Sequence, residues 1–149
     1  MLRGDPYRIV LADDHTLVRK GMKMILEERR DFEVVGEASD GLQLLNLLEM
    51  SKLHPHMVIL DITMPNLSGL EAAHRIKERF PGIKVLILTM HDNKEYLRKA
   101  IAAGADGYLL KDNADKDLFS AIDMIRRGGI YVSPLLSGKL ENTNDRKVL

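Results

Sequence analysis

Five short runs of apolar and largely β-branched residues recur along the chain, with starts about 25 residues apart. They occupy residues 8–12, 33–37, 57–60, 84–88 and 107–110. The runs are apolar throughout rather than alternating, which indicates strands that are buried on both faces. Parallel strands of this kind need helical crossovers that cover the sheet. The spacing therefore predicts an α/β fold, a doubly wound parallel sheet of five strand–helix units.

The segments between the runs carry helix signals. Asp40, Ser68 and Asp92 each lie three residues before a Gln or Glu, which is the spacing of a capping box. After the last run, a predicted helix ends at a Gly-Gly pair. Its apolar residues recur on one face, at Leu118, Ala121, Ile122 and Ile125.

The length of 149 residues is that of one ordinary domain, and an apolar fraction of 45% is enough to build a core. The periodicity ends near residue 133, and residues 141–147 are polar with no apolar face. We therefore assign residues 1–129 to a single domain and residues 130–149 to a linker or tail.

The composition limits the partners and the compartment. The chain has no Cys, which rules out disulfides and thiolate zinc sites and favours the cytoplasm. Lys plus Arg and Asp plus Glu both number 22, so we expect no nucleic-acid binding by this segment. No apolar run approaches the roughly 18 residues of a membrane span, and we expect no membrane association.

Polar side chains directly follow four of the predicted strands. Asp13 and Asp14 follow the first strand, Asp61 the third, Thr89 the fourth and Lys111 the fifth. Open parallel sheets bind ligands at the carboxyl ends of their strands, so we expect these residues to share one site. A single Asp before a helix is more often only a cap, but three adjacent carboxylates repel one another unless a cation compensates. Mg²⁺ prefers such oxygen ligands.

An aspartate carboxylate can also attack phosphorus and form an aspartyl phosphate. The remaining task of the protein is then to stabilise the charge on the phosphoryl group. Mg²⁺ and Lys111 would supply positive charge for this purpose. The predicted edge therefore has the components of Mg²⁺-dependent phosphoryl transfer.

Four motifs surround these positions: Val10-Leu-Ala-Asp13-Asp14, Val58-Ile-Leu-Asp61-Ile-Thr-Met-Pro65 with Gly69, Leu88-Thr89, and Gly107-Tyr-Leu-Leu-Lys111. They resemble the receiver domains of two-component response regulators, and the resemblance spans roughly residues 8–129. Details such as Asp14-His15 and Gly129-Ile-Tyr-Val-Ser-Pro134 are most similar to the NarL/FixJ, or LuxR-type, subgroup. The resemblance implies a flavodoxin-like receiver fold with strand order 2-1-3-4-5.

The same resemblance assigns roles at this edge. Asp61 would accept the phosphoryl group, and Lys111 would pair with a phosphoryl oxygen. Asp13, Asp14 and Asp61 would hold Mg²⁺ together with the backbone carbonyl of Thr63. In receiver domains the peptide after this lysine is often cis and precedes proline, whereas Asp112 follows here, so the isomer is left open.

Thr89 and Tyr108 would form a switch pair by the same resemblance. Thr89 would close on the phosphoryl group, and Tyr108 would turn from an exposed to a buried rotamer. The implied partners are a sensor histidine kinase and, after phosphorylation, a second copy of the chain. DNA would be bound only by a helix-turn-helix output domain that follows this segment.

Two other functions share part of this pattern. An aspartate-nucleophile phosphatase would use the same carboxylates, Mg²⁺ and lysine, but it typically has an acid two residues after the nucleophile, where this chain has Thr63. A flavodoxin-like binding module would need no phosphorylation. The chain has neither a GxGxxG nor a GxxxxGK[ST] motif for a nucleotide or flavin phosphate.

Overall fold

A computed structural model describes residues 4–50, 52–134 and 136 of the chain. Strands and helices alternate, as the spacing of the apolar runs predicts. The strands are β1 (Tyr7–Ala12), β2 (Phe32–Ala38), β3 (Met57–Leu60), β4 (Lys84–Thr89), β5 (Gly107–Leu110) and β6 (Tyr131–Val132). The helices are α1 (Thr16–Leu26), α2 (Gly41–Met50), α3 (Gly69–Arg79), α4 (Lys94–Ala102) and α5 (Ala114–Arg126), with a 3₁₀ turn at Lys111–Asn113.

The strands form one parallel sheet in the order β2-β1-β3-β4-β5-β6. This confirms the doubly wound α/β fold and the order 2-1-3-4-5. The order reverses direction at β1, so that the chain first moves to one edge and then crosses to the other. Among the described residues, no helix is both long and apolar enough to cross a bilayer.

Apolar side chains fill both faces of the sheet. On one face, β1 and β3 contribute Val10 and Val58, which pack with residues of α2, α3 and α4 such as Leu97. On the other face, Ile9 and Ile59 pack with residues of α1 and α5. Successive strand residues point to opposite faces, so a sheet covered on both sides requires runs that are apolar at every position.

Helices begin at the predicted N-terminal capping residues in two of three cases. The carboxylate of Asp40 accepts a hydrogen bond from Gln43 N at 2.7 Å, and the hydroxyl of Ser68 accepts one from Glu71 N at 3.2 Å. The third prediction is wrong by one residue, because Asn93 rather than Asp92 caps α4 and accepts from Tyr96 N at 3.0 Å. Both residue types cap helices well, so the local pattern does not decide between neighbours.

The stripe predicted for the last helix is confirmed, because all four of its residues are buried in α5. The helix ends where Gly128 adopts a φ of 95°, a conformation that glycine reaches without strain. The amide of Gly129 then donates to Met124 O at 2.9 Å and completes a Schellman turn.

The sixth strand lies in the segment that the sequence assigns to a linker. Tyr131 and Val132 pair with Gly107 and Tyr108 of β5, and Leu136 is fully buried. A strand of two residues is too short to stand out as a periodic pattern. The boundary at residue 129 stays a prediction, and residues 135 and 137–149 of the predicted tail lie outside the described residues.

Candidate functional site

The carboxyl ends of β1 and β3 bring together three predicted site residues, Asp13, Asp14 and Asp61. β1 and β3 are paired in register up to Ala12 and Leu60, and the amide of Asp61 donates to Ala12 O at 3.1 Å. Asp13 and Asp61 therefore leave neighbouring strands side by side. One ligand atom from each of Asp13, Asp14, His15 and Asp61 can be chosen so that all lie within 4.8 Å of one another.

Close packing behind Asp61 depends on a residue without a side chain. A Cβ atom built on Gly69 would lie 1.8 Å from the carbonyl oxygen of Asp61, well inside van der Waals contact. The amide of Gly69 also donates to Ile62 O at 2.7 Å. The start of α3 can thus press against the loop after β3 only because this position is glycine.

Lys111 lies between the two buried carboxylates. Its ammonium nitrogen is 2.8 Å from Asp13 Oδ2 and 3.0 Å from Asp61 Oδ2, and its side chain is 12% exposed. Burial by itself would lower the pKa of Lys111, but the contacts with Asp13 and Asp61 outweigh it and raise the pKa above its ordinary value. The peptide between Lys111 and Asp112 is trans. Lys111 therefore stays charged and holds two anions close together.

Asp13 is the most deeply buried member of the cluster. Its side chain is 1% exposed, and its Oδ1 atom accepts a hydrogen bond from His15 N at 2.8 Å. Its Oδ2 atom lies near Lys111 but lacks the angles of a hydrogen bond, so a buried oxygen keeps unused accepting capacity. Oxygen donors that are close, anionic and partly unsatisfied fit a hard divalent cation such as Mg²⁺.

The predicted switch residues flank this cluster. Thr89 is fully buried at the end of β4, and its hydroxyl accepts from His91 N at 3.3 Å. Tyr108 is also buried, and its hydroxyl donates to the backbone oxygen of His91 at 2.7 Å. Burial, and next the negative charge of Asp61, raise the pKa of Tyr108. Of the two predicted rotamers of Tyr108, the structure contains the buried one.

His91 joins three parts of the site, a role that its sequence position does not predict. Besides its backbone contacts with Thr89 and Tyr108, its Nε2 atom lies 2.9 Å from the hydroxyl of Thr63. Its ring also packs on Tyr96 of α4, with ring centres 4.4 Å apart. The only sequence signal is proximity to Thr89, because the partners come from other loops.

Arg19 is a second contact residue that sequence reasoning missed. It lies on α1, and its guanidinium reaches back to the backbone oxygen of Asp13. Side chains on a helix point toward its N-terminus, so an arginine one turn into α1 can reach the preceding loop. That spacing is the signal that could have identified it.

Comparison with known proteins identifies similar chains. The family described as response regulator receiver domain matches residues 9–123. The oxygen regulatory protein NreC of Staphylococcus carnosus is 43% identical over 136 residues, which are 91% of this chain and 62% of NreC. The transcriptional regulatory protein DegU of Brevibacillus brevis is 38% identical over 133 residues, or 89% of this chain and 56% of DegU. The chain therefore spans less than two thirds of the length of these relatives.

Solved structures give the same result. A LuxR-family two-component response regulator from Aurantimonas has a TM-score of 0.87 and 33% identity, and the match covers 94% of this chain and 99% of that one. The isolated receiver domain of RcsB from Salmonella enterica, in the presence of the phosphomimetic BeF3−, has a TM-score of 0.82 and 31% identity. That match covers 89% of this chain and 97% of the RcsB domain.

Proposed function

Because the chain belongs to the receiver domain family of LuxR-type response regulators, we propose that Asp61 is its phosphoryl acceptor and that phosphorylation requires Mg²⁺. Receiver domains of this family are signalling switches. The observation that carries the proposal is the pairing of Lys111 with Asp13 and Asp61 at the carboxyl edge of the sheet. Asp61 is buried enough to exclude bulk water, yet it lies beside the more exposed Asp14.

A carboxylate oxygen of Asp61 attacks the phosphorus of the donor, and the bond from phosphorus to the leaving group breaks. The leaving atom is an imidazole nitrogen for a phosphohistidine and a carboxylate oxygen for acetyl phosphate. The phosphoryl group remains on Asp61 as a mixed anhydride. Lys111 already lies 3.0 Å from Asp61 Oδ2, and its raised pKa keeps it charged to stabilise phosphoryl oxygens. By the family resemblance, the hydroxyl of the buried Thr89 would donate to another phosphoryl oxygen.

Asp13, Asp14 and Asp61 would hold the Mg²⁺ ion, together with the backbone carbonyl of Thr63. When bound, the ion supplies positive charge that offsets the carboxylates and the incoming phosphoryl group. Asp13 contributes a buried oxygen with accepting capacity, and Asp14 contributes a carboxylate open to solvent. The assignment of Thr63 rests on its position two residues after Asp61.

The relatives suggest the partners of the whole protein. A sensor histidine kinase would supply the phosphoryl group, and a DNA-binding output domain would respond to it. A solved complex contains two RcsB dimers bound to two parallel DNAs, which supports dimerisation as part of the proposal. That phosphorylation promotes it is a further part of the proposal. A cytoplasmic location belongs to the same proposal.

The receiver function is favoured over the two alternatives. A phosphatase acid is absent at position 63, where the Thr63 hydroxyl instead contacts His91. We therefore expect slow loss of the phosphoryl group, which suits a switch. A binding module without phosphorylation would not explain why Lys111 bridges two buried carboxylates.

Intact mass after incubation with acetyl phosphate tests the proposal. With Mg²⁺, the wild-type chain should gain one phosphoryl group, and Asp61→Asn should gain none because an amide is a far weaker nucleophile. Asp40→Asn is a matched control, since Asp40 is also a buried aspartate at a strand end but caps α2. It should be phosphorylated like the wild type, because Asn caps as well as Asp. A wild type that never gains the mass would rule out the proposal.

A further inference from the structure

Arg19 makes two contacts that link α1, the loop after β1 and the end of β2. Its Nη1 atom donates to the backbone oxygen of Asp13 at 2.5 Å, and its Nε atom donates to Glu37 Oε1 at 2.9 Å. Its side chain is 15% exposed, and that of Glu37 is 32% exposed. A guanidinium is a rigid planar fork, so fixing it at Glu37 also fixes the direction in which it meets Asp13.

The contact with Asp13 determines the orientation of one particular peptide. The carbonyl of Asp13 and the amide of Asp14 lie in the same planar group. The amide of Asp13 is already held by Ala38 O at 3.0 Å. With its carbonyl bonded to Arg19 as well, Asp13 is held at both ends, and the Asp13–Asp14 peptide cannot rotate freely.

The position of the Asp14 side chain depends on this peptide more than the positions of the Asp13 and Asp61 side chains do. Its side chain is 34% exposed, and its Oδ1 atom lies 3.2 Å from Nδ1 of His15, a side chain that is itself 66% exposed. Asp13 and Asp61, by contrast, are buried and paired with Lys111. An exposed pair of this kind restrains a side chain only weakly. The orientation of the backbone therefore sets the direction of the Asp14 Cα–Cβ bond, and with it the region that the carboxylate can reach.

We propose that Arg19 is a positioning residue for the cation site: by holding the Asp13–Asp14 peptide, it aims the Asp14 carboxylate at the divalent ion. Glu37 holds the guanidinium in place for this purpose. The inference rests on the proposed function, since it concerns the same cation. Arg19 itself does not contact the ion, and it acts only through the backbone.

A purely electrostatic role for Arg19 predicts the opposite result. A guanidinium near a cation site repels the cation, so a role limited to its charge means that removing Arg19 should tighten Mg²⁺ binding. A positioning role means that removing it should weaken Mg²⁺ binding, since loss of residues that orient metal ligands typically costs 10- to 100-fold in affinity. The sign of the change therefore separates the two roles.

The test is a titration of the ¹⁵N-labelled chain with MgCl₂ at constant ionic strength, followed by the amide signals of the site. Arg19→Met should raise the Kd for Mg²⁺ about tenfold. Arg19→Lys keeps the charge but loses the fork, so it should fall between Arg19→Met and the wild type, and it serves if the Met variant does not fold. Arg75→Met is the control, because it also removes an arginine paired with a glutamate, Glu71, but on the exposed side of α3.

The Arg75→Met chain should bind Mg²⁺ like the wild type. Tighter binding by Arg19→Met, or equal affinity of wild type and both Arg19 variants, would overturn the positioning role while leaving the cation site intact. A wild-type chain without a saturable Mg²⁺ response would overturn the cation site itself, and the role of Arg19 with it.

Discussion

Lys111 pairs with two buried carboxylates at once. Its side chain is 12% exposed, and those of Asp13 and Asp61 are 1% and 6% exposed. Removing one partner from a buried ion pair leaves an uncompensated charge, which usually destabilises a protein by about 3 to 5 kcal/mol. Since the pKa of Lys111 is raised above 10.5, its contribution to stability is present at every pH below that value and is lost only at higher pH.

Lys111→Met should therefore lower the free energy of unfolding by about 3 kcal/mol without Mg²⁺. Mg²⁺ should restore more stability to this variant than it adds to the wild type, because the cation replaces the missing charge and binds only the folded chain. Urea unfolding at pH 7, with and without Mg²⁺, measures both effects.

Lys77→Met is the matched control for this prediction. It breaks the pair between Lys77 Nζ and Asp106 Oδ2, which is 3.1 Å long and partly buried, away from the carboxylate cluster. It should lose stability but show only the wild-type increment with Mg²⁺. Equal increments in wild type, Lys111→Met and Lys77→Met would contradict the shared role of Lys111 and the cation.

At the residue scale, sequence predicted the groups that stand directly at strand ends. Asp13, Asp61 and Lys111 follow apolar runs, and the topology of a parallel sheet brings such positions together. Arg19 and His91 do not stand at strand ends, so this rule does not find them. The position of Arg19 one turn into α1 is a local signal for its contact with Asp13. The contacts of His91 with the hydroxyls of Thr63 and Tyr108 depend on tertiary packing, which no local pattern encodes.

At the scale of elements, β6 adds part of the predicted C-terminal linker to the sheet. The amide of Ser133 donates to Tyr108 O at 3.0 Å, and the amide of Leu110 donates to the hydroxyl of Ser133 at 3.0 Å. Leu136 is fully buried and belongs to the part of the core that also contains residues of α4 and β5. These contacts place residues 131–133 and 136 in the same packed unit as Tyr108, the predicted switch residue.

Leu136→Ala should lower the free energy of unfolding by about 3 kcal/mol, the usual cost of such a truncation in a core. Ile130→Ala is the control, since Ile130 is 67% exposed, and it should change stability by less than about 0.5 kcal/mol. Chemical unfolding of both variants gives the comparison. If Leu136→Ala unfolds like the wild type, the segment after β6 does not belong to the core.

The residue at which a helix begins is harder to predict from sequence than the helix itself. Asp92 and Asn93 are both good capping residues, and Asp92 lies at the spacing that favours a capping box with Glu95. The structure starts α4 one residue later, with Leu97 and Ala100 buried. The choice follows from the tertiary positions of those two residues, whereas the existence of the helix was predictable from the pattern alone.

At the scale of the whole molecule, three of the predicted site residues lie on neighbouring strands of the sheet. Asp61 lies at the end of β3, Thr89 at the end of β4, and Tyr108 in β5, which pairs with β6. His91 connects Thr89 to Tyr108 through its own backbone. The topology was predictable from the strand pattern, but the rotamer of Tyr108 was not, because it depends on the conformation of the loop after β4.

A phosphoryl group on Asp61 would act by biasing two conformations of this loop and of Tyr108. Reversing a 1:99 population needs about 5.5 kcal/mol of differential interaction. One neutral hydrogen bond from Thr89 supplies only about 1 kcal/mol, so Lys111 and the cation must contribute the rest. Thr89→Ala should therefore weaken the switch without preventing phosphorylation.

Amide spectra with and without beryllofluoride, a phosphoryl mimic, in the presence of Mg²⁺ test this account most directly. In the wild type, shifts should extend from the carboxylate cluster to residues 89–103, Tyr108 and the amides of β6. Asp61→Asn should show none of these shifts, and Thr89→Ala should show them only around Asp13 and Asp61. Shifts confined to the carboxylate cluster in the wild type, or identical in wild type and Thr89→Ala, would contradict the account.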